Sequence, residues 1–158
     1  MKQLLPCYKK IAYAIASGGY VGMVPYCKGT IMSLITAVLL YYLPPVSLFL
    51  QLIFIFLLLL LGIYVSTYFV LLGNDPDPGW IVIDELVGMW IALLGVPKQF
   101  WWYFTAFLIF RFFDISKCCG VSYFERLQGG LGVMLDDCAA GLITLVCIVC
   151  IQLAINAL

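Results

Sequence analysis

Residues 46–72 read VSLFLQLIFIFLLLLLGIYVSTYFVLL, with no charged side chain among them. A hydrocarbon layer about 30 Å thick takes a helix of about 20 apolar residues, so this run is long enough to cross with tilt. Inside hydrocarbon a backbone must satisfy its own hydrogen bonds, which makes such a run a helix. The rest of the chain agrees. Its 158 residues are 65% hydrophobic and 10% charged, and mean hydropathy is +1.13. A soluble domain is nearer half apolar and a quarter charged. The class expected is an all-α integral membrane protein. No polar stretch is long enough to fold separately, so residues 1–158 form a single membrane-embedded domain.

Working outward, Gly73 to Gly79 breaks the helix on one side and Pro44-Pro45 on the other. Before the prolines, Ile31–Leu43 is apolar but short for a span. After the break come Trp80–Val96, then Phe100–Lys117, which opens on the aromatic belt Phe100-Trp101-Trp102-Tyr103. A connector over Ser122–Leu127 leads to Gln128-Gly129-Gly130, and a last apolar helix covers Gly132–Ala157. At the N-terminus, Leu4, Leu5, Tyr8, Ile11, Ala12 and Ile15 recur at helical spacing, with Lys2, Lys9 and Lys10 between them. Such a segment lies in a membrane interface. The expected architecture is a bundle of about five transmembrane or partly spanning helices plus this N-terminal amphipathic helix. The apolar run after Lys10 is too short for a signal peptide.

Basic residues orient the bundle. Lys2, Lys9, Lys10 and Lys28 put the N-terminal segment in the cytoplasm. Threading from there leaves Lys117 and Arg126 inside and Lys98 outside. The charge total of eight basic and eight acidic residues excludes a nucleic-acid footprint. There is no histidine, hence neither the commonest general base nor the commonest zinc ligand. The seven cysteines read as small packing side chains in a reducing or lipid setting, not as a disulfide framework.

The acidic residues are harder to explain by packing. Asp84, Glu85, Asp114, Asp136 and Asp137 lie just inside apolar stretches, and Asp77 just outside one. A carboxylate at mid-bilayer costs about 2.5–3.5 kcal/mol, and less near the ends. With the threading above, all face the cytoplasmic rim. Asp84 sits only about 7 Å beyond the Gly79 loop. Clustered oxygens suit a hard divalent cation, and the substrate available at a membrane surface is a lipid head group. Asp77 also suits a helix cap before Pro78.

Three constellations follow. Asp84 and Glu85 are helix neighbours pointing about 100° apart, with Gly88 leaving room on the face of Asp84. Arg111, Asp114 and Lys117 recur every third residue; they make either an intrahelical ion pair or a metal ligand flanked by two phosphate clamps. Gly129, Gly130 and Gly132 precede Asp136-Asp137, and free N–H groups at that helix entry suit a phosphate. Lys28-Gly29-Thr30 is a weaker phosphate candidate; it lacks the Walker spacing.

In order, Ile81-Val82-Ile83-Asp84-Glu85-Leu86-Val87-Gly88-Met89-Trp90, then Phe110-Arg111-Phe112-Phe113-Asp114 with Lys117, then Gly129 to Asp137 with Ala140-Gly141, resemble the phosphatidylglycerophosphatase A family. The resemblance covers residues 17–145. It implies Mg²⁺-dependent hydrolysis of phosphatidylglycerophosphate to phosphatidylglycerol, in the bacterial inner membrane, with the site facing the cytoplasm. It implies Asp84, Glu85, Asp114, Asp136 and Asp137 as the metal and water-handling set. Lys28, Thr30, Arg111, Lys117, Gly129 and Gly130 would hold phosphate. Direct water attack and an aspartyl-phosphate intermediate both remain open. The chain departs from the family pattern at Lys28, which stands where a second proline is usual. It departs again at Cys118-Cys119, in place of a proline-rich turn, and at Gln128, where histidine is common.

The competing reading is a small ion-coupled transporter using intramembrane carboxylates. Transporters usually place such charge near the midplane, among broken helices and repeats, and no repeat is evident here. A CDP-alcohol phosphotransferase would need an Asp-Gly-x-x-Ala-Arg signature, which is absent.

Overall fold

A computed structural model describes residues 6–73, 75, 78–124 and 127–157. Asp77, Arg126 and the first five residues, with Lys2, Leu4 and Leu5, lie outside the described set. Every regular element within it is helical: α1 (Pro6–Ala16), α2 (Lys28–Tyr42), α3 (Leu48–Gly73), α4 (Ile83–Ala92), α5 (Phe100–Ser116), α6 (Val121–Phe124) and α7 (Gly130–Asn156). A single 3-10 turn covers Val21–Met23.

Among the described residues, only α3 and α7 are long and apolar enough to cross a membrane by themselves. The outer side of α3 exposes Phe49, Leu52, Phe56, Leu57 and Leu60, and α7 exposes Leu142, Val146 and Leu153. Soluble monomers rarely present a contiguous apolar surface of that extent. This belongs to a membrane protein.

The helix expected over Trp80–Val96 is much shorter in the structure. Ile81 closes a turn on Pro78, and the Val82 N–H donates to the carbonyl of Ala16 (2.9 Å). That bond ties the segment to the end of α1 before a helix begins. At the other end, Leu93 to Gly95 turn out of the helix, with Gly95 at φ +70°. What remains is about 15 Å of helix, half a bilayer. Hydropathy could not foresee this, because the bond to Ala16 is long-range.

α4 is nonetheless the hub. Val87 and Ile91 join Ala12, Val65, Phe69, Val133 and Met134 in one core, while Met89 and Ala92 join Ala37, Ala106, Phe110, Ala140 and Ile148 in another. α4 and α7 cross closely because of Gly88 and Gly141. A Cβ on Gly141 would lie 2.3 Å from the Gly88 carbonyl oxygen, and one on Gly88 would lie 2.6 Å from the Asp137 carbonyl oxygen. The buried hydroxyls of Ser33, Thr36 and Thr144 each donate to the carbonyl four residues back, so the polar atoms are satisfied within their own helices.

Tyr13 stacks on Trp80 at 4.4 Å, and Phe69 meets Trp80 edge-on at 4.9 Å, clamping α1 to α3. The buried face of α1 is made by the small residues Ala12 and Ala16; Tyr8 and Ile11, expected on the apolar side, are exposed beside Lys9 and Lys10. All seven thiols are free; Cys138 packs in the core as expected, whereas Cys7, Cys27, Cys119 and Cys150 are exposed.

Candidate functional site

The α4–α7 crossing sets the acidic residues against one another. Asp84 and Glu85 occupy the first turn of α4, and Asp137 lies on α7 one turn before Gly141. One carboxylate oxygen from each lies within 4.8 Å of the other two, and this trio could hold a metal ion. Asp84 and Asp137 are buried, at 9% and 2% exposure. Among the described residues, Asp84 Oδ1, Glu85 Oε2 and Asp137 Oδ2 are buried with no hydrogen-bond partner. A buried carboxylate oxygen left unpaired is costly, and three residues that each carry one meet at this crossing.

The other two acids are compensated. Asp114 pairs with Arg111 one turn back on α5, the intrahelical bridge that their spacing allowed. Asp136 pairs with Lys117 and accepts from the Asp137 N–H (2.9 Å). Lys117 does not continue the Arg111–Asp114 face. It caps α5 with φ 51°, and so reaches α7 instead. Asp114 stays within electrostatic reach of Glu85 and Asp137.

Burial by itself would lower the Lys117 ammonium. Its hydrogen bond to Asp136 and the nearby charges of Asp136, Asp137 and Asp114 outweigh burial and hold it above the usual lysine value of 10.5. A raised value means that the contribution of the pair is full below about 10.5 and fades only as pH climbs through the folded value above it. Stability of the Lys117→Met protein is therefore expected to fall by roughly 1–3 kcal/mol across neutral pH, since Asp136 loses its cation. The deficit should narrow only in strongly alkaline buffer. Thermal unfolding of both proteins at a series of pH values checks this.

The remaining candidates divide. Lys28 and Thr30 stand in the first turn of α2, partly buried. Gly29 between them makes the closest approach to the acids: a Cβ there would lie 2.0 Å from Glu85 Oε1 and 3.2 Å from Arg111 Nη1. Gly129, at φ +69°, and Gly130 form the entry to α7. The Gly130 N–H is already taken by Thr67 Oγ1 of α3 (3.0 Å), and a Cβ on Gly130 would meet the Ile63 carbonyl oxygen at 2.4 Å. In this arrangement Gly130 joins two helices, and its amide is not open to a phosphate. Sequence reasoning passed over Ser33, whose hydroxyl accepts from Arg111 Nη1 (3.4 Å). Its only signal was a serine inside an apolar helix one turn past Gly29.

A family model described as phosphatidylglycerophosphatase A matches residues 14–152. The chain belongs to the phosphatidylglycerophosphatase A family. Among its relatives, a Haemophilus influenzae protein named phosphatidylglycerophosphatase A is 38% identical over 136 residues, covering 85% of this chain and 82% of that protein. An Escherichia coli protein of the same name is 31% identical over 153 residues, with 89% of each chain covered. A Bacteroides thetaiotaomicron protein, provisionally named a phosphatidylinositol-3-phosphatase, is 35% identical over 142 residues, covering 85% of this chain and 89% of that protein. No solved structure matches the chain. The family gives the transporter alternative no support.

Proposed function

We propose that this phosphatidylglycerophosphatase A family member hydrolyses phosphatidylglycerophosphate to phosphatidylglycerol and inorganic phosphate, using Mg²⁺ held by Asp84, Glu85 and Asp137. The observation that carries this reading is the trio of carboxylates converging within 4.8 Å, each of which has one buried oxygen without a hydrogen-bond partner among the described residues. Arg111 and Lys117 are engaged with Asp114 and Asp136, so neither ion pair includes a member of the trio. All-oxygen donors fit a hard ion such as Mg²⁺, which binds through a few carboxylates and leaves places for water and phosphate. When bound, the ion would neutralise the phosphate dianion and lower the pKa of a coordinated water.

The chain's own residues supply the rest. Arg111 and Lys117, each steadied by one carboxylate, present cationic donors beside the trio for the non-bridging phosphate oxygens. Lys28 and Thr30 border the same place from α2. Water forms the new bond to phosphorus, the bond to the glycerol oxygen breaks, and that oxygen takes up a proton. The trio sits at the end of α4 nearest α1, which carries Lys9 and Lys10, whereas Lys98 lies at the far end and donates to the Leu43 carbonyl. That distribution supports a multi-pass bacterial inner-membrane protein with α2, α4 and α5 partly spanning, α1 in the interface, and the site facing the cytoplasm.

The test is phosphate release from defined lipids by detergent-purified protein, with Mg²⁺ and with EDTA. Phosphatidylglycerophosphate should be cleaved fastest, and chelation should abolish release. Faster turnover of phosphatidylinositol 3-phosphate or phosphatidic acid would reassign the head group. Full turnover in EDTA would remove the metal from the proposal.

A further inference from the structure

We infer that Ser33 is a positioning residue that turns the Arg111 guanidinium so that one whole edge of it is reserved for the substrate phosphate. The inference rests on the phosphatase reading above and assigns a role to a residue that the reaction itself does not touch.

Ser33 is wholly buried on α2, with its hydroxyl hydrogen committed to the Gly29 carbonyl (2.7 Å). Its lone pairs therefore face away from that carbonyl, and Arg111 Nη1 donates to them. The same Nη1 also serves Asp114. In a guanidinium, Nη1 lies on the side away from the Nε–H. Fixing Nη1 at two acceptors thus leaves the Nε–Nη2 edge intact, and two parallel N–H donors on that edge match two phosphate oxygens. Nε is indeed buried without a partner among the described residues. A buried donor on a charged group is costly to leave orphaned, and a phosphate oxygen would satisfy it.

Gly29 makes this geometry possible. With no Cβ it lets the first turn of α2 close on Glu85 Oε1 and Arg111 Nη1, where a methyl group would stand 2.0 and 3.2 Å away. Ser33, one turn on, is thereby brought to the guanidinium. Without the serine oxygen, Arg111 keeps its ion pair with Asp114 but is free to rotate about it, and the edge is no longer aimed.

A double-mutant cycle tests this, because a residue acting through Arg111 must lose its effect when Arg111 is replaced. Parent, Ser33→Ala, Arg111→Lys and the double variant are compared in two assays. One is the KM and kcat for phosphatidylglycerophosphate in detergent with Mg²⁺. The other is binding of inorganic phosphate to the EDTA-treated protein, followed by ³¹P NMR titration. Ser33→Ala is expected to raise KM, and to weaken phosphate binding, by about 5–10-fold with kcat within about twofold. In the Arg111→Lys background the same substitution should change neither. An equal effect in both backgrounds would make Ser33 merely structural. No effect in either background, or no phosphate binding by the parent, also overturns the inference. Coupled phosphate binding without hydrolysis of any lipid monoester would sink the phosphatase reading and leave this one standing.

Discussion

Asp137→Asn protein is expected to lose Mg²⁺-dependent phosphate release by about 10³-fold or more, yet to unfold at a higher temperature than the parent when both are stripped of metal. The two effects have one cause. Asp84, Glu85 and Asp137 bring three carboxylate oxygens within 4.8 Å of one another. At an effective dielectric constant of about 20, two unit charges that close repel by about 3 kcal/mol. Asparagine keeps the shape and removes one charge, which relieves repulsion in the apoprotein and destroys the cation site. Added Mg²⁺ should raise the melting temperature of the parent through mass action and leave that of the variant nearly unchanged. Calorimetry in detergent, with and without Mg²⁺, checks the stability half. A parent insensitive to Mg²⁺ and a variant no more stable than the parent would together refute the trio as a cation site.

Gly141→Ala should be strongly damaging although it removes no polar group. The added methyl group would sit 2.3 Å from the Gly88 carbonyl oxygen and 3.2 Å from Ile91 Cβ. The first of these is backbone, so no side chain can rotate away, and the α4–α7 crossing must open. Overpacking of this kind costs about 1–3 kcal/mol, and a contact with backbone belongs at the upper end. The functional loss should be larger than the stability loss. Separating α4 from α7 by about 1 Å pulls Asp84 and Glu85 away from Asp137, and misplacement of that size costs about 10²-fold in rate. Activity and thermal unfolding of the purified variant decide this. A variant as active as the parent would show that the crossing does not set the site.

Much of this site was legible in the chain because its acids violate a local rule. A carboxylate inside an apolar run stands out without any knowledge of what surrounds it, and all five that did so stand at or beside the trio. Pairing was not legible. Arg111–Asp114 lies within one helix, and its spacing announced it; Lys117–Asp136 joins two helices through a left-handed cap, which no spacing encodes. The five acids, alike in sequence, therefore separate into two held in these ion pairs and three that converge at the α4–α7 crossing. The glycines changed meaning for the same reason. Gly88 read as room beside Asp84 and proved to be the place where the backbone of α7 touches α4, while Gly130 read as a phosphate cradle and proved to be a joint with Thr67.

Hydropathy alone determined that the chain is helical and suited to a membrane, since burying unsatisfied backbone in lipid is so costly that few structures remain. The ordered acidic blocks alone determined the family. Only tertiary packing decided that α4 stops halfway, that Gly29 admits α2 to the acids, and that three carboxylates converge at one crossing. Each of those depends on an atom supplied by a residue distant in the chain, and a distance across the bundle leaves no periodic trace in the order of the amino acids.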